Sequence, residues 1–191
     1  MAIKMTDKMK QVATIEAQKR DYNIHHHFEL KYMTGEQRDV VGFLGEFACK
    51  EYLGLDWYSG IRDNYETIDD GDILLSGLTV DIKTETIPKE TLMKLIRGQV
   101  QDDEPYGRRL INEGQIPLLS HYDYIVWGAF SRNMYDLWFH LGYLETKYIL
   151  NNYEATIETP YGRKYNEPCI NVRQSELKDI NELKRILGQS K

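Results

Sequence analysis

The chain has 191 residues, of which 41% are hydrophobic and 28% are charged. This length and balance suit one compact domain with a sizeable hydrophobic core, and they exclude disordered and fibrous classes. No apolar run approaches the ~18 residues of a membrane span, and the charged N-terminus lacks a signal-peptide core, so we expect an intracellular, cytoplasmic protein without a membrane partner. The net charge of −6 argues against a protein that binds nucleic acid through a general positive field, but it permits an enzyme whose acidic side chains gather at a metal site.

We expect a single domain over residues 1–191, because no repeat, low-complexity segment or linker divides the chain. Residues 1–33 form an N-terminal helix and linker, 36–144 the core, and 145–191 a C-terminal strand and helix extension. The helix over 6–20 docks on the domain or on a second subunit, so a homodimer is an open expectation. The run His25–His27 is interpreted as polar linker, because adjacent residues do not share a face on which to bind one ion.

A long helix is predicted to begin at Thr34, where Thr34 and Gln37 have the capping-box spacing, and to end at Gly54. Gly42 and Gly45 are poor helix formers, and their presence indicates close backbone packing against a sheet.

Glu46 lies on this helix among mostly apolar and small neighbours. A partly buried carboxylate needs a partner or a metal ion. The alternative is a simple helical ion pair with Lys50.

The segment from Gly71 to Thr84 is predicted to form a β-hairpin with Ser76-Gly77 as its two-residue turn. In this register Ile73 faces Val80. One face of the hairpin is then wholly apolar, and the other places Asp72 directly opposite Asp81.

Two opposed aspartates are unfavourable, because directly paired side chains lie roughly 4.5–5.5 Å apart at Cβ. A divalent cation that takes carboxylate oxygens would relieve the repulsion. Lys83 falls on the same face, beside that ion. The alternative is a solvated hairpin face on which Asp81 and Lys83 form a weak surface ion pair.

The remaining pattern is α/β. The predicted elements are a first short strand at 56–58, a helix over 90–100 with Leu92, Leu95 and Ile96 inward, a polar surface insertion over 101–117, buried strands over 122–130 and 135–144 joined as a hairpin, a short strand at 170–172, and a C-terminal helix capped by Ser175.

Two basic pairs are candidate nucleic-acid contacts. Arg108 and Arg109 lie in the predicted insertion, where the alternative is an ordinary solvated loop. Arg163 and Lys164 lie in an aromatic, polar stretch that could contact phosphates and stack on bases, or could simply be a hairpin tip. Cys49 and Cys169 are expected as buried free thiols.

Gly71-Asp72, followed after eight residues by Asp81-Ile82-Lys83, resembles the core motif of the PD-(D/E)xK nuclease superfamily. Gly71 stands where the proline of that motif would be. The helix segment around Glu46 is similar to the first core helix of the same superfamily, and it precedes the motif in the expected order.

The resemblance implies a restriction-endonuclease-like fold, a mixed central β-sheet flanked by helices with an αβββαβ core. It also implies hydrolysis of phosphodiester bonds, most readily in DNA, with Mg²⁺ or Mn²⁺. Asp72, Asp81, Glu46 and the Ile82 backbone carbonyl would bind the metal, and Lys83 would assist the attacking water. The alternative is a non-catalytic nucleic-acid-binding or assembly module on the same fold.

Overall fold

A computed structural model describes residues 1–23, 33–59, 61 and 71–188 of the chain. It is a mixed α/β structure in which helices flank a mixed five-stranded sheet, with a separate three-stranded sheet beside it. The strands are β1 (Ala2–Lys4), β2 (Ile73–Leu75), β3 (Leu78–Ile87), β4 (Arg108–Asn112), β5 (Tyr124–Ser131), β6 (Met134–Glu145), β7 (Thr156–Glu158) and β8 (Lys164–Arg173). The α-helices are α1 (Asp7–Asn23), α2 (Gly35–Leu53), α3 (Lys89–Ile96), α4 (Thr146–Asn152) and α5 (Ile180–Ile186).

The larger sheet has the strand order β1-β6-β5-β3-β2. Strands β3 and β5 run parallel, with Asp81 beside Ile125 and Lys83 beside Trp127, whereas the other neighbours are antiparallel. Parallel neighbours need a long crossover, and α3 and β4 lie in the connection between β3 and β5. This confirms the predicted α/β class with a mixed sheet flanked by helices.

Helix α2 has the predicted ends. Thr34 and Gln37 form a complete capping box, and Gly54 closes the helix in the left-handed conformation with φ of 81°. A Cβ atom built on Gly45 would lie 1.8 Å from Thr84 Oγ1, so α2 packs its backbone directly on β3. The main hydrophobic core includes residues of α2, β2 and β3, among them Phe43, Leu44, Phe47, Ile73, Val80 and Ile82, and it extends to α1, α5, β5 and β6.

The hairpin has the predicted pairs from Ile73–Val80 to Leu75–Leu78. The predicted pair Asp72–Asp81 is not formed as a strand pair, because Asp72 lies before β2 and its N–H donates to the Val80 carbonyl. Helix α1 packs on α2 within the same chain, and Met9, Ala13 and Ala17 are buried there.

Four further local predictions are wrong. Residues 56–58 form a turn instead of a strand, because the Asp56 carboxylate accepts the Tyr58 N–H and fixes the chain locally. Helix α3 ends at Ile96, which is 41% exposed rather than inward. Ser175 lies in a 3-10 turn and donates to Asp102, while Asp179 caps α5.

The fourth error is the surface insertion at 101–117. Residues 108–112 form β4, which pairs antiparallel with β8 and builds the second sheet in the order β4-β8-β7. Its inner face carries Ile111, Ile170 and Val172, which pack against Ile125 and Trp127 of the larger sheet. The predicted strand at 170–172 is the end of the longer β8.

In the ranges that the structure describes, no helix is long and apolar enough to cross a membrane. Cys49 and Cys169 are buried free thiols, as predicted. The interpretation of His25–His27 concerns residues outside the described ranges.

Candidate active site

Asp72 lies at the open end of the hairpin, one residue before β2 begins. Its backbone N–H donates to the Val80 carbonyl at 2.9 Å, and its Oδ2 atom accepts the Ile82 N–H at 2.6 Å. Asp72 is therefore held against β3 by two hydrogen bonds. Its side chain is half-buried.

Three carboxylates interact at this point. Burial, followed by the negative charges of Glu46 and Asp81, raises the pKa of Asp72 well above its usual range. The Ile82 N–H and the more weakly acting Lys50 ammonium oppose that rise in pKa. Glu46 of α2 and Asp81 of β3 thus lie close enough to Asp72 for their charges to affect its pKa.

Lys83 extends from β3 on the same face as Asp81, and its Nζ atom lies 2.9 Å from Asp81 Oδ2. The two side chains are only 14% and 16% exposed, so this is not a solvated surface pair. The contact between Lys83 and Asp81 is an ion pair but does not have hydrogen-bond geometry. Asp81 Oδ2 is therefore buried without a hydrogen bond among the described residues.

A hard divalent cation fits this donor set. Carboxylate oxygens are the ligands that Mg²⁺ prefers, and a cation would offset the repulsion that raises the pKa of Asp72 while satisfying the buried Asp81 oxygen. As the side chains stand, no three His, Cys, Asp or Glu groups of the described residues converge closely enough to form a finished metal cage. Asp72 Oδ2 is committed to the Ile82 N–H.

The Ile82 carbonyl is oriented toward the same edge. In an extended strand the N–H and C=O of one residue point to the same side, and the Ile82 N–H points at Asp72. Ile82 also lies two residues beyond Val80, where the registered hairpin pairs end.

Two further charged side chains belong to α2 and β3: Lys50, which the sequence analysis named as the alternative ion-pair partner of Glu46, and Glu85, which it did not single out. Lys50 is only 6% exposed, and its Nζ donates to the Ser59 carbonyl at 3.1 Å. Glu85 follows Lys83 on the same face of β3, where strand alternation places it, and its carboxylate pairs with Arg109 at 2.8 Å.

The prediction that Arg109 is a surface contact for phosphate is wrong. It is fully buried, and its guanidinium donates to Glu85 and to the Tyr106 carbonyl. Arg108 points to the opposite face of the second sheet and is half-buried. Arg163 and Lys164 are exposed where the chain turns from β7 into β8, so they remain available as nucleic-acid contacts.

We compared the chain with protein-family models, with curated proteins and with solved structures, and none of them matches.

Proposed function

We propose that this chain is a metal-dependent nuclease that hydrolyses phosphodiester bonds in nucleic acid, with DNA as the favoured substrate. The proposal rests on one observation: Glu46 and Asp81 both act on the charge of Asp72, while Lys83 lies 2.9 Å from Asp81. Carboxylates of this kind can hold a metal ion that activates water, and an ammonium group beside them can stabilise the charge that develops on a phosphate.

In this function Asp72, Asp81, Glu46 and the Ile82 carbonyl would hold Mg²⁺ or Mn²⁺. The bound ion would lower the pKa of a water molecule and polarise the scissile phosphate. Asp72 is fixed for this role by its hydrogen bonds to β3.

Lys83 would orient the attacking water and balance the charge that develops on the phosphate. An ammonium group has three N–H donors and no acceptor, so we assign Lys83, whose Nζ lies 2.9 Å from Asp81 Oδ2, hydrogen-bond donation rather than proton abstraction.

Cleavage assays test this function. Supercoiled plasmid and end-labelled single strands are incubated with Mg²⁺, Mn²⁺ or EDTA, using the wild type, Asp81→Asn and Lys83→Met. We expect metal-dependent cutting that falls by about 10²-fold or more in both variants, because each removes a charge at the reacting phosphate. Asp103→Asn, which neutralises an exposed carboxylate, is the matched control and should cut like the wild type.

Cutting that persists in EDTA, or that is unchanged in Asp81→Asn, contradicts the proposal. If no substrate is cut and calorimetry detects no divalent-ion binding that depends on Asp72 and Asp81, the non-catalytic binding module becomes the better description.

A further inference from the structure

A polar pocket of about 420 Å³ lies on the outer face of the second sheet. Its walls include Arg108, Tyr148, Tyr153, Asn171, Arg173 and Glu176. Side chains alternate along β4, so Arg108 faces this pocket while Arg109 turns inward to Glu85 on β3. The pocket is therefore separated by a sheet from the carboxylates, and its volume falls within the range of about 300–1,000 Å³ typical of small-ligand sites.

Two arginines are directly opposed on this face. Arg108 of β4 and Arg173 of β8 are register partners in an antiparallel pair, where like charges are destabilising. Arg108 Nε and Nη1 donate to the carbonyls of Asp102 and Asn171, and Arg173 Nη1 pairs with Glu176 at 3.1 Å. Among the described residues Arg108 Nη2 and Arg173 Nη2 make no hydrogen bond, so donors remain for an anion between the two strands.

Asn171 supplies the complementary group. It is only 6% exposed, and its Nδ2 donates to the Cys169 carbonyl at 3.1 Å, which fixes the amide orientation. Its Oδ1 is buried without a hydrogen-bond partner in the part of the chain that the structure describes. An unsatisfied buried acceptor is costly, and a ligand with an N–H or O–H group would satisfy it.

Two acidic side chains line the pocket, the exposed Glu154 and Glu176, and the hydrogen bonds of Glu176 are made within the pocket wall. Glu176 accepts hydrogen bonds from the Tyr148 and Tyr153 hydroxyls and from Arg173. Burial and the hydrogen bond to Glu176 raise the pKa of Tyr153 to about 12, so its hydroxyl stays a donor at neutral pH. Glu176 thus stabilises the wall and leaves Arg108 as the cation without a carboxylate partner among the described residues.

We propose that this pocket binds a nucleoside monophosphate, either free or as the 5′-phosphorylated end of a strand. The phosphate monoester would lie between Arg108 and Arg173, because it carries close to two negative charges and several acceptor oxygens. A base or sugar donor would reach Asn171 Oδ1, and the 41% exposed ring of Tyr148 offers an aromatic surface at the pocket. The inference does not depend on the nuclease function.

Calorimetry in EDTA tests the pocket without the metal chemistry. The probes are inorganic phosphate, the four common nucleoside 5′-monophosphates, the same nucleosides without phosphate, and short oligonucleotides with a 5′-phosphate or a 5′-hydroxyl. We expect monophosphates to bind about tenfold or more tightly than the nucleosides, because the charge-assisted hydrogen bonds go to the phosphate. Preference for the free monophosphate or for the 5′-phosphorylated oligonucleotide identifies the source of the ligand.

Three variants assign the binding to this pocket. Arg173→Gln and Arg108→Gln should each weaken monophosphate binding about tenfold or more. Asn171→Leu should weaken nucleotide binding but leave phosphate binding unchanged. Arg97→Gln, which removes an exposed charge on the C-terminal side of α3, should bind like the wild type.

The absence of monophosphate binding to the wild type overturns the proposal. Binding that is equal in the wild type and in a folded Arg173→Gln variant does so as well. Arg173 is the safer of the two arginine sites for this comparison, because its side chain is 54% exposed and its replacement leaves the sheet interior intact.

Discussion

Asp72 lies next to Glu46 and Asp81, and its charged form is disfavoured by burial and by both neighbouring carboxylates. Because the pKa of Asp72 is higher in the folded state than in the unfolded chain, the folded state binds the proton more tightly. The corresponding stability is fully present below the ordinary aspartate pKa of about 3.9, and it is lost as pH rises through the raised value. At neutral pH without metal, Asp72 therefore destabilises the fold.

Asp72→Asn should consequently stabilise the metal-free protein. Its amide oxygen can still accept the Ile82 N–H, while the repelled charge is gone. At pH 7 in EDTA we expect the free energy of unfolding to rise by on the order of 1 kcal/mol, which raises Tm by about 2–4 °C.

The same variant should lose any rise in Tm that Mg²⁺ or Mn²⁺ gives the wild type, because it removes a carboxylate that we propose as a metal ligand. Thermal melts at pH 4 and pH 7 measure both effects, with the exposed Asp103→Asn as control. An Asp72→Asn variant that is less stable than the wild type at pH 7 in EDTA would contradict the assignment.

The placement of most side chains of the candidate site could be predicted from the sequence. Strand alternation and a two-residue turn place Asp72, Asp81 and Lys83 together, and the helical stripe turns Glu46 toward them. Arg109 could not be placed in this way. Its burial depends on the ion pair with Glu85, a partner 24 positions away in the chain, and no local pattern records that contact.

The contact between α2 and β3 controls where Glu46 lies. Gly45 precedes it, and the absence of a side chain there lets the helix approach Thr84. Gly42 belongs to the same helix, but a Cβ atom built there would meet nothing within 4 Å. Substituting each glycine with alanine therefore distinguishes two effects: the loss of close packing at Gly45 and the gain in helix propensity at Gly42.

Gly45→Ala should destabilise the protein by about 1–3 kcal/mol, because the added methyl group overpacks the helix against the strand. Gly42→Ala should be neutral or stabilising by up to about 1 kcal/mol, since it only improves helix propensity. Urea denaturation of both variants measures the difference. Equal effects of the two substitutions would show that α2 does not depend on this close approach.

Elements with strong local signals were predictable, whereas the second sheet was not. Helix α2 carries a capping box and a terminal glycine, and the hairpin carries its turn. Strand β4 lies in a polar stretch with Gly and Pro, and it is stabilised by pairing with β8, about sixty residues later. Such non-local pairing overrides local composition.

At the scale of the whole molecule, the Glu85–Arg109 pair joins the two sheets. Arg109 belongs to β4 and Glu85 to β3, and their 2.8 Å contact is made beneath the second sheet. The two side chains differ in exposure: Arg109 is 0% exposed and Glu85 is 28% exposed. Burial raises the pKa of Glu85 despite the opposing effect of Arg109.

This asymmetry predicts unequal costs for the two single substitutions. Glu85→Leu leaves a fully buried guanidinium without its carboxylate, and should destabilise the protein by about 3–5 kcal/mol. Arg109→Met leaves a carboxylate that can be hydrated or protonated, so its cost at pH 7 should be smaller. The double variant should be more stable than the sum of the two single effects indicates.

The pH dependence distinguishes this explanation from simple loss of packing. Without Arg109, the pKa of Glu85 rises further, so the stability deficit of Arg109→Met should be greatest at neutral pH and should shrink as pH falls and Glu85 takes up a proton. A packing defect would cost the same at every pH. Urea denaturation at pH 5 and pH 7.5 measures the difference, and a deficit that does not change with pH would show that the pair acts through shape and not through charge.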